Sequence, residues 1–127
     1  MSKILIVEDN PTNMKLAQFL LQRGGHVILT AIDGISGIAQ ARAEHPDLIL
    51  MDIKLPDIDG LQATRILKAD PRTSSIPVVA LTSLAMGGDA EPWRDAGCDS
   101  YIDKTLLYND LWHAIEVELA KIGRAHV

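Results

Sequence analysis

Residues 48–60 of the chain read LILMDIKLPDIDG. This stretch begins with four apolar residues in a row, without the alternation of a strand that has one face in water. Such a run is typical of a strand that is covered on both faces. Asp52 follows the run, and the turn residues beyond it predict that Asp59 caps a helix and that Gly60 eases the bend. The stretch therefore predicts a buried strand, a carboxylate at its end and a helix.

The same alternation of strand and helix extends over the whole chain. Further unbroken apolar runs occur at residues 4–7, 27–29 and 78–81, with a shorter run at 101–102. Between these runs, apolar residues recur at the three- and four-residue spacing of a helix with one buried face. These residues are Met14, Ala17, Leu20, Leu21, Ile35, Ile38, Ala39, Ala63, Ile66, Leu67, Leu111, Ile115, Leu119 and Ile122. The pattern predicts an α/β fold, with five parallel strands and helices on both faces of the sheet.

The fourth helix is the weakest of the predicted helices. Gly87, Gly88 and Pro92 all disfavour the interior of a helix, and a proline is tolerated only in the first turn. We therefore expect Asp89 to cap a short helix that begins late and ends at Gly97.

Length and composition argue against several classes of protein. A chain of 127 residues, 47% of them hydrophobic, fits one domain with its own core. Its apolar runs are far shorter than the roughly 20 residues that cross a bilayer, and its amino terminus lacks a secretory signal, so we expect a cytoplasmic protein without membrane insertion. A formal net charge of -5 argues against direct binding to nucleic acid. Cys98 is the only cysteine, which excludes an internal disulfide and favours a packing role.

Acidic residues follow two of the predicted strands, as Glu8-Asp9 and as Asp52. Because the carboxyl ends of parallel strands meet at one edge of a sheet, we expect the three carboxylates to lie close together. They would repel one another unless a cation neutralised them. A hard divalent ion such as Mg²⁺, which takes oxygen ligands, suits this set.

Two further strands bring complementary groups to the same edge. Thr82 follows the fourth apolar run and Lys104 follows the fifth. A hydroxyl and an ammonium beside a metal-bound carboxylate suit phosphoryl transfer, whose transition state is stabilised mainly by positioning and charge neutralisation. The carboxylate can then act as the nucleophile and form an acyl phosphate.

Four motifs at these strand ends resemble those of the response-regulator receiver family. They are VEDN at residues 7–10, LMDIKLP at 50–56 with Gly60, ALTS at 80–83 and YIDK at 101–104. The resemblance covers essentially the whole chain and implies the doubly wound, flavodoxin-like receiver fold with strand order 2-1-3-4-5. It also implies that Asp52 is the phosphoacceptor, that Glu8 and Asp9 hold Mg²⁺ directly or through water, and that the backbone carbonyl of Lys54 completes the protein ligands.

The resemblance also gives roles to residues of the fourth and fifth strands. Thr82 and Lys104 would contact the phosphoryl oxygens, and Tyr101 would be an aromatic switch that turns inward when Thr82 is drawn to the phosphate. Two positions depart from the family pattern. Thr105 stands where a proline usually follows the lysine, and Ser83 stands where the family often has Ala or Gly.

Single residues of this set have ordinary alternatives. Asp9 and Asp52 could cap turns, Thr82 could cap a helix and Lys104 could be a solvated surface charge. The ordered set of four motifs is what favours the functional interpretation.

A rival interpretation concerns the paired acids at residues 57–60. Such pairs also open the catalytic loop of aspartate-based phosphohydrolases, but there they directly follow a strand, whereas Leu55 and Pro56 intervene here. A turn that leads into the third helix is the better interpretation.

The resemblance implies a single-domain response regulator, with a receiver domain at residues 1–122, a short tail at 123–127 and no output domain. It would be phosphorylated from a histidine kinase or histidine phosphotransfer protein, and would bind a downstream protein through the fourth helix, fifth strand and fifth helix. It would be no enzyme beyond catalysing its own phosphorylation and dephosphorylation. Two alternatives stay open: a phosphorelay intermediate between histidines, and a pseudo-receiver that binds partners without phosphorylation.

Overall fold

The computed structural model describes residues 2–82 and 91–103 of the chain. Within them strands and helices alternate, in the order β1 (Lys3–Val7), α1 (Pro11–Gln22), β2 (Val27–Ala31), α2 (Gly34–Glu44), β3 (Leu48–Asp52), α3 (Gly60–Ala69), β4 (Val78–Thr82), α4 (Glu91–Ala96) and β5 (Ser100–Asp103). The strands form a five-stranded sheet in the order β2-β1-β3-β4-β5, and each pair is parallel. The predicted α/β fold and strand order are therefore confirmed.

Two hydrophobic cores lie on the two faces of the sheet. Leu5 and Val7 of β1 pack with residues of α2 and α3 on one face. Ile4 and Ile6 of the same strand pack with residues of α1 on the other face. All four side chains are fully buried. Burial of such a side chain contributes about 1.5–3 kcal/mol, which explains why the central strands are apolar at every position.

The helix ends follow the local chemistry of the chain. The Asn10 side chain accepts hydrogen bonds from the backbone N–H of Thr12 and Asn13, so it caps α1 with Pro11 in the first turn. α4 ends before Gly97, whose φ of +102° lies in the left-handed region that favours glycine. The predicted end of the fourth helix is confirmed, whereas the predicted cap Asp89 lies outside the described residues.

The predicted buried face of α2 is wrong at two positions. Ile35 is 64% exposed, and Ala39 is exposed as well. The buried residues of this helix are Gly34, Gly37, Ile38 and Ala41. A Cβ on Gly37 would lie 2.8 Å from Val7 Cγ2, so the helix approaches the sheet through glycine. A hydrophobic pattern does not report such a contact.

Candidate metal centre

The three predicted carboxylates meet at the carboxyl edge of the sheet. Glu8 and Asp9 directly follow β1, Asp52 ends the adjacent strand β3, and Val7 pairs with Met51 in the register of these strands. One carboxylate oxygen from each acid lies within 4.8 Å of the other two. Glu8 and Asp52 are 2% and 4% exposed, whereas Asp9 is exposed. The cluster therefore has two buried acids and one that opens to solvent.

Hydrogen bonds orient the Glu8 side chain and its backbone. The Glu8 N–H donates to the Ala31 carbonyl at 3.0 Å, which extends the pairing of β1 with β2. Its carboxylate accepts the Asn10 N–H at 3.2 Å. Since Asn10 also caps α1, the start of this helix is tied to the acidic cluster.

Asp52 is oriented by the loop that follows it. Its Oδ1 accepts the Lys54 N–H at 3.2 Å. The Ile53 N–H donates to the Leu81 carbonyl of β4 at 3.2 Å, which holds the chain beside the neighbouring strand. The backbone N–H of Lys54 thus contacts the carboxylate, and the use of the Lys54 carbonyl as a metal ligand stays a prediction.

Gly60 closes the loop back onto the end of β3. Its N–H donates to the Ile53 carbonyl at 2.7 Å, and a Cβ at this position would overlap the backbone carbonyl of Asp52. Asp59 accepts the Gln62 N–H at 2.7 Å and caps α3, as predicted. The glycine is required for close approach of the backbone and not for a left-handed turn, since its φ is not positive.

Asp57 has a contact that the sequence interpretation missed. Its Oδ1 accepts the Gly34 N–H and its Oδ2 accepts the Ile35 N–H, both at 2.8 Å. Desolvation raises the pKa of the Asp57 carboxyl, but hydrogen bonds from the backbone of Gly34, Ile35, Ile58 and Asp57 itself outweigh it, and the pKa lies below its ordinary value. The partners lie 22 and 23 residues away along the chain, so no local sequence signal could reveal them.

The predicted phosphoryl contacts are described only in part. Thr82 is the last residue of β4, one position beyond Leu81, which pairs with Asp52. Tyr101 in β5 pairs with Ala80 and is 49% exposed. The Thr82 side chain, Ser83, Lys104 and Thr105 lie outside what the structure describes, so their roles stay predictions.

The donor set fits a hard divalent cation. Three carboxylates within 4.8 Å of one another supply oxygen ligands only, which suits Mg²⁺ better than a metal that prefers nitrogen or sulfur. The exposed position of Asp9 leaves one side of the cluster open to water, and Mg²⁺ commonly keeps several waters. Among the described helices, none combines the length and apolarity that a membrane span requires.

Comparison with known proteins finds relatives that are response regulators or receiver domains. The family model of the response regulator receiver domain matches residues 4–116. The polar-differentiation response regulator DivK of Brucella ovis is 46% identical over 103 residues, which are 81% of this chain and 84% of that protein.

Solved structures agree with this sequence match. A CheY-like response regulator receiver domain protein from Methanospirillum hungatei superposes with a TM-score of 0.87 and 27% identity, over 98% of each chain. The receiver domain of a sensor histidine kinase from Pseudomonas aeruginosa, with a magnesium ion coordinated in its active-site cleft, has a TM-score of 0.75 and 38% identity, over 81% of this chain and 84% of that one. With this sheet order, this acidic cluster and these relatives, the chain belongs to the response regulator receiver domain family.

Proposed function

We propose that the protein is a response regulator that is phosphorylated on Asp52 and signals through contacts with other proteins. The phosphoryl group would come from a histidine kinase or a histidine phosphotransfer protein. Glu8, Asp9, Asp52 and the carbonyl of Lys54 would hold Mg²⁺. The single observation that carries the proposal is the meeting of three carboxylates within 4.8 Å at the carboxyl edge of a receiver sheet.

The burial of Asp52 supports its proposed role as the nucleophile. Asp52 is 4% exposed at the end of a fully buried strand, so its position is fixed by packing on both faces. A nucleophile that is held in place needs little reorganisation when the phosphoryl donor arrives. A bound Mg²⁺ would neutralise the cluster and attract phosphoryl oxygens. The magnesium ion in the Pseudomonas receiver domain supports this choice of metal.

The proposed chemistry is a transfer from nitrogen to oxygen. A carboxylate oxygen of Asp52 would attack the phosphorus of a phosphohistidine, forming an O–P bond while the N–P bond breaks. The histidine nitrogen leaves with the electron pair and takes up a proton, and Asp52 becomes an acyl phosphate. Thr82 and Lys104 are proposed to bind the phosphoryl oxygens. The protein would catalyse only this transfer and its own dephosphorylation, in which water takes the phosphoryl group from Asp52 and inorganic phosphate leaves, and we expect it to work in the cytoplasm.

Acetyl phosphate gives a direct test, because it needs no knowledge of the cognate kinase. Wild-type protein with Mg²⁺ should gain the mass of one phosphoryl group, and chelation of the metal should prevent the gain. Asp52→Asn should remove it, whereas Asp47→Asn, an exposed aspartate at the opposite edge of the sheet, should not. A wild-type protein that gains no mass would contradict the proposal and favour a pseudo-receiver. Transfer of the phosphoryl group from Asp52 onward to a histidine would instead indicate a phosphorelay intermediate.

A further inference from the structure

The loop between β3 and α3 is fastened to the first turn of α2 by one side chain. Both carboxylate oxygens of Asp57 are used, one by the Gly34 N–H and one by the Ile35 N–H, each at 2.8 Å. The local cap of this helix, Asp33, accepts the Ser36 N–H at 2.8 Å. The free amides of the first turn are thus shared between a local cap and a residue of a distant loop.

Packing brings the same helix close to both segments that carry the acidic cluster. A Cβ on Gly34 would lie 2.5 Å from Ile58 Cγ1, so α2 rests on the loop itself. A Cβ on Gly37 would lie 2.8 Å from Val7, the residue before Glu8. α2 therefore supports the end of β1 and the loop after β3 at once.

The loop is short; Leu55 and Ile58 pack against the hydrophobic core, and the other polar contacts described for the loop are at its ends. The Lys54 N–H donates to Asp52, and the Gly60 N–H donates to the Ile53 carbonyl. Between these two points, Asp57 makes the long-range polar contacts described for the loop. Its hydrogen bonds act against movement of the segment that contains Lys54.

We propose that Asp57 is a positioning residue for the metal site, which fixes the loop backbone at Lys54 by binding the first turn of α2. The inference rests on the proposed function and adds a residue to it. Asp57 would touch neither the metal nor the phosphoryl group. Its loss should therefore weaken Mg²⁺ binding through the geometry of the loop, as loss of an outer-shell partner does in other metal sites.

Two variants and one matched control separate positioning from general stability. Asp57→Ala removes both hydrogen bonds, and Asp57→Asn keeps one acceptor oxygen and a similar shape. Asp47→Ala is the control, because the Asp47 carboxylate also accepts a backbone N–H, that of Lys3 at 2.8 Å, at the far edge of the sheet. All three variants lose one negative charge, so a simple change of net charge affects them equally.

Magnesium affinity, measured calorimetrically in the full chain at about 1 M salt, is the main readout. Charges separated by more than about 3 Å are screened there, which removes most of the through-water effect of the lost carboxylate. We expect Asp57→Ala to bind Mg²⁺ about tenfold more weakly than wild type, Asp57→Asn to be intermediate and Asp47→Ala to be unchanged. The rate of phosphorylation by acetyl phosphate should fall at low Mg²⁺ and recover at saturating Mg²⁺.

Two outcomes would overturn the inference. One leaves the proposed function standing, and the other overturns it as well. If wild type binds Mg²⁺ and is phosphorylated while folded Asp57→Ala and Asp57→Asn keep wild-type affinity, Asp57 is only a cap of α2 and the proposed function stands. If wild type itself neither binds Mg²⁺ nor accepts a phosphoryl group, both proposals fail together.

Discussion

Asp9 is the exposed member of the acidic cluster, and under the proposed function its charge would help to hold Mg²⁺ at a cost to the stability of the metal-free fold. Asp9→Asn should weaken Mg²⁺ binding at least tenfold and slow phosphorylation of Asp52, because one of three carboxylates within 4.8 Å is neutralised. The same change should slightly raise the melting temperature of the metal-free protein, since repulsion among the three carboxylates is relieved. Calorimetric titration and thermal melting with a chelator measure the two effects. Unchanged Mg²⁺ affinity, or a lower metal-free melting temperature, would contradict the assignment.

Cys98 is buried, and burial lowers the reactivity of its thiol. The side chain belongs to the core between the sheet and α3, with its Sγ 3.8 Å from Thr64 Oγ1. Desolvation raises the pKa of the thiol, outweighing the opposite effect of the Thr64 contact, so little thiolate forms at neutral pH. We expect iodoacetamide to alkylate Cys98 about tenfold or more slowly in the native protein than in urea, followed by mass spectrometry. Equal rates in both states would show that the residue is accessible.

The residues that the sequence could and could not reveal differ in the range of their contacts. Glu8, Asp9 and Asp52 were found because each follows an unbroken apolar run, and a parallel sheet brings such ends together. Asp57 escaped because its partners are backbone amides more than twenty residues away. Gly60 was predicted as the glycine of a bend, but its close approach to the Asp52 carbonyl is invisible without the fold.

At the scale of elements, strands were easier to predict than helix faces. The central strands are covered on both sides, so burial makes every residue apolar and the signal is unambiguous. α2 packs through Gly34 and Gly37 beside Ile38 and leaves Ile35 exposed, which departs from the hydrophobic pattern expected of a helix. A hydrophobic pattern predicts the wrong buried face where close approach of the backbone, and not apolar area, decides which residue faces the core.

The contact between α2 and α3 contains an ion pair that should make stability depend on pH. Asp70 accepts hydrogen bonds from Arg72 and, at 2.9 Å, from Arg42 of α2. Hydrogen bonds from the Arg72 side chain and backbone, helped by Arg42 and opposed by desolvation, hold the pKa of the Asp70 carboxyl well below its ordinary value. The ionised Asp70 carboxylate therefore contributes its full stabilisation above the pKa that an aspartate has in the unfolded chain, about 3.9. This stabilisation is lost as pH falls toward the lower pKa of Asp70 in the folded protein.

Asp70→Asn tests this linkage. The variant should melt a few degrees below wild type at pH 7, and the difference should shrink as pH falls below about 4, where the Asp70 carboxyl of the unfolded chain takes up a proton before that of the folded protein does. Thermal melting across this pH range measures it, with Asp47→Asn as the control for removal of an exposed charge. A difference in melting temperature that stays constant down to pH 2 would mean that the Asp70 ion pairs contribute nothing to stability.

At the scale of the whole molecule, β4 lies between the candidate site and the exposed side chain of Tyr101. Leu81 pairs with Asp52 on one side of β4, and Ala80 pairs with Tyr101 on the other. Tyr101 is half-exposed, so its side chain can move without opening either hydrophobic core. A displacement of β4 toward a phosphoryl group on Asp52 would thus be transmitted to Tyr101 on the adjacent strand β5.

A hydrogen-bond network around Lys68 holds the elements at the start of β4. Its Nζ donates to the Ile76 carbonyl at 2.8 Å and to Asp99 Oδ2 at 3.0 Å, and its stem lies against Gly97. The same Asp99 carboxylate accepts the Val78 N–H at 2.8 Å. These bonds join α3, the start of β4 and the turn before β5. We expect them to limit how far a conformational change that begins at Asp52 extends along β4 and β5.

Hydrogen exchange with and without beryllofluoride, a mimic of the phosphoryl group, tests the predicted switch. Gly87, Gly88 and Pro92 disfavour helix, and segments of low stability are where switching elements are usually found. We therefore expect changes in protection to concentrate at residues 82–97 and around Tyr101, and to fade at the Lys68 network. The protein without beryllofluoride should already sample the active form, because a ligand shifts an existing equilibrium. Asp52→Asn should abolish the response, and changes confined to α1 and α2 would show that the partner surface lies elsewhere.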